Sequence, residues 1–75
     1  MSVPTHSSDV RIELLLDSGE MLPVAQLSDG ILILRRFDRT YPECNARLII
    51  QIDGSRKETS IHLMNGVADR VVKYW

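Results

Sequence analysis

The sequence predicts a small all-β domain, which we expect to be a six-stranded antiparallel barrel or a strongly curled sheet. Two observations carry this prediction. All four glycines lie in turn dipeptides separated by 11, 24 and 12 residues: Ser18-Gly19, Asp29-Gly30, Asp53-Gly54 and Asn65-Gly66. Each dipeptide is flanked by apolar runs rich in β-branched residues. Because glycine accepts positive φ, such dipeptides close tight hairpins, and their regular spacing is typical of antiparallel domains.

Apolar runs between the turn dipeptides predict the first three strands. Strand one is expected over residues 10–16, with Leu15 as an apolar group on the outer face. Strand two is expected over residues 21–27. Pro23 cannot donate a ladder hydrogen bond, so this strand should be an edge or begin after the proline. Strand three, about residues 31–36, begins with the unbroken apolar run ILIL, which is expected of a strand covered on both faces.

The second half of the chain predicts an irregular loop and three further strands. Residues 37–45, which contain Pro42, are expected to form the longest loop. Strand four is expected over residues 46–52, with Ile49 on its outer face, and strand five over residues 57–64. Asn65-Gly66 is the clearest two-residue hairpin signal and predicts a sixth strand over residues 67–74. A closed barrel would leave no exposed sheet edge.

Composition limits the possible classes of protein. The chain has 75 residues and a formal net charge of −1, so we expect one domain over residues 10–75, after a flexible arm over residues 1–9. A nonspecific nucleic-acid binder usually carries a basic excess, which makes nucleic acid the less favoured partner. No apolar run approaches the roughly 20 residues of a membrane helix, and the polar N-terminus does not resemble a signal peptide. We therefore expect a cytoplasmic protein without membrane contact.

The residues with catalytic potential do not form a recognisable set. Cys44 is the one cysteine, and a nucleophilic role would need a nearby base. The two histidines, His6 and His62, are expected in the arm and on an outer strand face, without metal-ligand spacing relative to Cys44. We therefore predict a protein that is not an enzyme and has neither a metal site nor a cofactor.

A local cluster of arginines is the first candidate binding site. The segment RRFDRTYPECNAR contains four arginines interleaved with aromatic residues. Guanidinium groups bind phosphate in a bidentate fork, and aromatic rings stack on bases. The candidate residues for an anionic ligand or a nucleotide are Arg35, Arg36, Arg39, Tyr41 and Arg47. The alternative is a solvated loop whose arginines pair with Asp38 and Glu43.

A second candidate is an apolar association surface. A tryptophan at a chain end is expected to be docked, either within its own barrel or against another chain. Trp75, together with Leu15 and Ile49 on outer strand faces, indicates an apolar patch of the kind that marks association surfaces. We therefore expect a homodimer or contact with another protein.

The order of strands and turns resembles the PilZ domain, a six-stranded β-barrel that binds cyclic di-GMP in many bacterial proteins. The resemblance covers most of the chain, through RIELLLDSGEMLPVAQLSDGILIL, ARLIIQIDG and SIHLMNGVADRVV. In the family motif of Asp or Asn, any residue, Ser, two residues and Gly, Ser28 matches, Gln26 replaces the acid or amide, and Gly30 comes one position early. The family's RxxxR pair is absent from residues 1–9 and occurs instead at Arg35 and Arg39. The resemblance therefore implies the fold without cyclic di-GMP binding.

These observations together predict a non-catalytic binding or regulatory module. We expect it to act through protein–protein contacts, as a divergent PilZ-like domain. The alternative is a small barrel that binds nucleic acid or a nucleotide through the arginine-rich loop, residues 35–47.

Overall fold

The computed structural model describes residues 10–75 as one antiparallel sheet that curls strongly into a half-barrel. The strands are β1 (Val10–Leu16), β2 (Met21–Ser28), β3 (Ile31–Leu34), β4 (Cys44–Ile52), β5 (Ser55–Leu63) and β6 (Val71–Lys73). Their spatial order is β5-β4-β1-β2-β3-β6, which confirms the predicted all-β class and the number of strands. The expected arm over residues 1–9 lies outside the described residues.

Three hairpins and two long-range pairings build this sheet. The hairpins join β1 to β2, β2 to β3, and β4 to β5. The glycines in the three hairpin turns adopt positive φ, as their turn dipeptides predict. The pairing of β1 with β4 and of β3 with β6 connects segments that are distant in sequence. Among residues 10–75 there is no helix that is long and apolar enough to cross a membrane.

Pro23 lies inside β2, and β2 is not an edge strand, so the expectation drawn from the proline was wrong. Pro23 is paired with Glu13 of β1, while the next residue, Val24, is paired with Leu34 of β3. β2 therefore pairs with β1 as far as Pro23 and with β3 from Val24 onward. The missing N–H of the proline is tolerated at this change of partner. Its carbonyl oxygen still accepts a hydrogen bond from the Arg35 N–H at 3.0 Å.

The Asn65-Gly66 turn does not close a hairpin, which corrects a second expectation. β5 and β6 lie at opposite edges of the sheet, and Val67 instead forms an isolated antiparallel bridge with Tyr41. The sixth strand is also shorter than expected, at Val71–Lys73. The Asp69 carboxylate accepts a hydrogen bond from the Val71 N–H at 2.7 Å, and such a local bond favours a bend immediately before β6.

The core occupies the concave face of the sheet. Its buried side chains are Leu14, Leu16, Val24, Leu32, Leu34, Ala46, Leu48, Ile61, Leu63, Val67 and Val72. The run ILIL is covered on one face only: Leu32 is fully buried, whereas Ile31 is 39% exposed. β3 lies in a single layer between β2 and β6, so the expectation that both faces would be covered was wrong.

The β1–β4–β5 part of the sheet extends beyond this core. β2 pairs with β1 only as far as Glu13, so the first residues of β1 pair with β4 alone. At the far end, Val10 and Ile52 face each other across the two strands, and both are exposed. Packing against the core therefore decreases along this part of the sheet.

Candidate functional site

A groove of about 770 Å³ lies beside Trp75 and is lined by residues of β1, β4 and β5. We call it the Trp75 groove. Cross-strand pairing brings several lining residues together. Leu15 of β1 is opposite Arg47 of β4, and Arg47 is opposite Ser60 of β5. The neighbouring pair, Asn45 and His62, continues the same surface. Leu16, Ala46 and Ile61 also line the groove, which therefore combines apolar residues with several polar ones.

Trp75 is held against the edge of the sheet by its backbone. Its N–H donates to the His62 carbonyl oxygen at 3.1 Å, which links the segment after β6 to β5 across the open side of the half-barrel. The Trp75 residue itself remains 78% exposed. The indole is therefore positioned beside the groove while most of its apolar surface is in water.

Hydrogen bonds fix the polar side chains at one end of the groove. The Nε2 atom of His62 is 2.7 Å from the Glu43 carboxylate, and its Nδ1 atom is 2.8 Å from Oδ1 of Asn45. A carboxylate only accepts hydrogen bonds, so Nε2 is the donor to Glu43. A neutral imidazole then accepts at Nδ1, which requires the Asn45 amide to present its NH₂ group there. The imidazole therefore connects the loop before β4 to β5.

Arg47 belongs to an exposed ionic network on the same face. Its Nη1 atom is 3.5 Å from a Glu58 carboxylate oxygen, and the other oxygen of that carboxylate is 2.9 Å from Nη2 of Arg56. Exposed pairs of this kind contribute little to stability, but they reduce the positive charge that Arg47 presents. Arg47 is thus placed on the convex face, as part of the Trp75 groove.

Of the three residues predicted for an association surface, Leu15 and Trp75 meet at this groove. Ile49 is on the convex face as well, but it is only 3% exposed and does not line the groove. Glu13 and Glu58 lie directly opposite Ile49 on the two neighbouring strands. The stems of long charged side chains can cover an apolar neighbour in this way, which sequence alternation alone does not reveal.

The structure distributes the arginines of the predicted ligand site over three concavities, two of which share Arg36. Arg35 and Arg36 line a shallow groove of about 700 Å³ together with Phe37, Asp69, Arg70 and Val71. Arg39 and Tyr41 line a smaller concavity of about 200 Å³, to which Arg36 also contributes. Arg70 was not among the predicted residues, because it enters through the long-range pairing of β3 with β6.

Tyr41 is anchored by its backbone and faces a carboxylate. Its N–H and carbonyl group both bond to Val67, each at 2.9 Å. Desolvation, followed by the negative charge of Glu20, raises the pKa of the Tyr41 phenol above its ordinary value, while Arg39 acts in the opposite direction. The phenol therefore remains protonated at neutral pH and can donate a hydrogen bond.

Cys44 lies at the beginning of β4, opposite Leu63. Desolvation, followed by the charge of Asp17, raises the pKa of the Cys44 thiol, which is the reverse of what activates a nucleophile. Within residues 10–75, no group of three or more His, Cys, Asp or Glu side chains is arranged to hold a metal ion.

Comparisons of the chain with models of known protein families, with curated proteins and with solved structures found no match. The resemblance to the PilZ domain therefore stays a prediction based on the order of strands and turns.

Proposed function

We propose that this chain is a non-catalytic interaction module that pairs with a second copy of itself through the Trp75 groove. The observation that carries the proposal is the position of Trp75, which is 78% exposed and borders a groove that also contains Leu15. Tryptophan is enriched in protein interfaces and at their binding hot spots, because it buries a large apolar area with few rotatable bonds.

The groove favours a second copy because its surface is self-complementary. A two-fold interface uses the same patch on both subunits. This patch offers an exposed indole and, immediately beside it, a concavity of about 770 Å³. In the proposed dimer, Trp75 of each subunit enters the groove of the other and packs against Leu15 there.

The size of the domain gives a second reason for self-association. A chain of this length buries only roughly 60–65% of the surface that it exposes when unfolded. Small domains with neither disulfides nor metals often gain stability by forming oligomers. Cys44 is the one cysteine and cannot form a disulfide within the chain. Burial of Trp75 between subunits would add buried apolar area that the isolated chain lacks.

The non-catalytic part of the proposal rests on the state of the reactive side chains. The Cys44 thiol has a raised pKa, and both ring nitrogens of His62 are in hydrogen-bonding contact with Glu43 and Asn45. We further propose that the chain is a divergent PilZ-like domain without cyclic di-GMP binding. The six-stranded antiparallel half-barrel is compatible with that assignment.

Sedimentation equilibrium at micromolar to millimolar chain concentrations tests the proposal. The unmodified chain should sediment as a dimer, and Trp75→Ala should sediment as a monomer. Because the Trp75 side chain is mostly exposed, its truncation should leave the fold intact, which circular dichroism would check. Phe37→Ala is the matched control, since Phe37 is an exposed aromatic residue outside the groove, and this variant should still dimerise. A strictly monomeric unmodified chain, or a Trp75→Ala variant that dimerises normally, would overturn the proposal.

A further inference from the structure

We propose a second binding site, for a nucleoside phosphate, in the groove of about 700 Å³ between the end of β3 and the beginning of β6. The side chains that line it are Arg35, Arg36, Phe37, Asp69, Arg70 and Val71. We call it the Arg70 groove. It is separate from the Trp75 groove, and the two share no lining residue.

Arg70 is the best-fixed cation of this groove. The Leu34 N–H donates to the Arg70 carbonyl oxygen at 2.8 Å, and Nε of Arg70 donates back to the Leu34 carbonyl oxygen at 3.1 Å. This reciprocal pair of bonds fixes the guanidinium while using one of its five N–H donors. A phosphate can therefore bind to a guanidinium that is already held in place, which reduces the entropy lost on binding.

The charge of the groove favours an anion. Three arginines and one aspartate line it, a local balance of +3 − 1 = +2. Among residues 10–75, neither Arg35 nor Arg70 forms a salt bridge, and Arg36 makes only a long, exposed one with Asp38 at 3.5 Å. The Asp69 carboxylate is engaged by the Val71 N–H. Arg35 and Arg70 are therefore not paired with an acidic side chain within this range, and the groove keeps a net positive charge.

Phe37 makes a nucleoside phosphate a better match than a simple anion. Phe37 is 37% exposed and lines the same groove, and an aromatic side chain offers a surface on which a base can stack. A long nucleic acid would instead need an extended basic surface, and the chain as a whole has a net charge of −1.

Titration of the full chain with AMP, followed by calorimetry and amide chemical shifts, tests the site. Saturable shifts are expected at residues 34–37 and 69–71. Arg35→Gln and Arg70→Gln should each weaken AMP binding by about tenfold or more, the loss expected for one charge-assisted contact. Phe37→Ala should weaken binding of AMP more than binding of inorganic phosphate. Arg35 has no side-chain hydrogen bond within residues 10–75, so Arg35→Gln keeps the test valid even if Arg70→Gln disturbs the fold.

Arg47→Gln is the matched control, because Arg47 lines the other groove and should not affect AMP binding. Trp75→Ala should also bind AMP normally, so a failure of the proposed AMP site can be distinguished from a failure of the proposed dimer. The inference is overturned if AMP causes no saturable shifts, or if Arg47→Gln weakens binding as much as Arg35→Gln. It is also overturned if inorganic phosphate binds as tightly as AMP. A short single-stranded oligonucleotide that binds far more tightly than AMP, with a steep salt dependence, would replace it with a nucleic-acid interface.

Discussion

Gly66 is in direct backbone contact with Tyr41, across the bridge that joins the irregular loop to the segment after β5. A Cβ atom at Gly66 would overlap the Tyr41 carbonyl oxygen and would lie 2.7 Å from the Pro42 carbonyl oxygen. Immediately beside this contact, Tyr41 and Val67 exchange two backbone hydrogen bonds of 2.9 Å. The close approach at Gly66 therefore allows the loop that follows β3 to pair with the segment after β5.

Gly66→Ala should therefore destabilise the fold strongly. An alanine at this position would hold a Cβ at positive φ, which costs about 1–2 kcal/mol. The Cβ would also clash with the backbone of the loop, which would have to move. We expect a total loss of more than about 2 kcal/mol in the free energy of unfolding, measured by urea denaturation.

Gly19→Ala is the control for that experiment. Gly19 also has positive φ, but no heavy atom lies within 4 Å of the position of its Cβ. Its substitution should carry only the conformational cost. Equal destabilisation by the two substitutions would show that the contact with Tyr41 is unimportant.

Leu32→Ala and Ile31→Ala should differ sharply, although the two residues are neighbours in β3 and have the same number of side-chain atoms. Leu32 is fully buried, so its truncation leaves a cavity and should cost about 2–5 kcal/mol. Ile31 is on the convex face and exposed, and its truncation should cost about 1 kcal/mol or less. Thermal or urea unfolding measures both, and similar losses would contradict the assignment of the concave face as the core.

Cys44 should react slowly with iodoacetamide in the folded protein. Desolvation and the charge of Asp17 raise the pKa of the thiol, so less of the reactive thiolate is present at a given pH. The alkylation rate should keep rising with pH beyond the range in which an ordinary thiol reaches its plateau. Unfolding in urea should remove the effect, and faster alkylation of the folded chain than of the unfolded chain at neutral pH would contradict it.

Glu20→Gln should lower the pKa of the Tyr41 phenol. The negative charge of Glu20 is the second largest cause that raises this pKa, and removal of the charge makes the phenolate easier to form. Ultraviolet difference titration of the two tyrosines follows this change, with Tyr41→Phe identifying which transition belongs to Tyr41. Asp38→Asn should have a smaller effect, because Asp38 is the weakest of the causes. A larger shift from Asp38→Asn would contradict the placement of Glu20 beside the phenol.

Local patterns were sufficient to predict β1 over residues 10–16 and the turns that contain Gly19, Gly30 and Gly54. A hairpin depends on neighbouring residues, on turn chemistry and on the alternation of apolar side chains, all of which are visible in one short segment. The same reasoning placed Leu15 on the convex face, where it contributes to the Trp75 groove.

The candidate sites depended on contacts that no local pattern contains. Arg47 is only eight residues after Arg39, yet the extended backbone of β4 carries it onto the convex face and away from the loop arginines. Arg70 is far from Arg35 in sequence and reaches it only because β6 pairs with β3. Proximity in sequence was therefore a poor guide to the composition of either groove.

The amino-acid sequence by itself determined the all-β class, the hairpin turns and the face on which most strand residues lie, because these follow from backbone sterics and a two-residue repeat. Only the tertiary structure decided that β1 pairs with β4, that β3 pairs with β6, and that Asn65-Gly66 leads into a bridge rather than a hairpin. Each of these pairings joins distant segments. Burial of a shared core must therefore offset the entropy that is lost when a long loop is closed. Their selection therefore depends on how all the apolar faces pack together, which is a property of the whole chain.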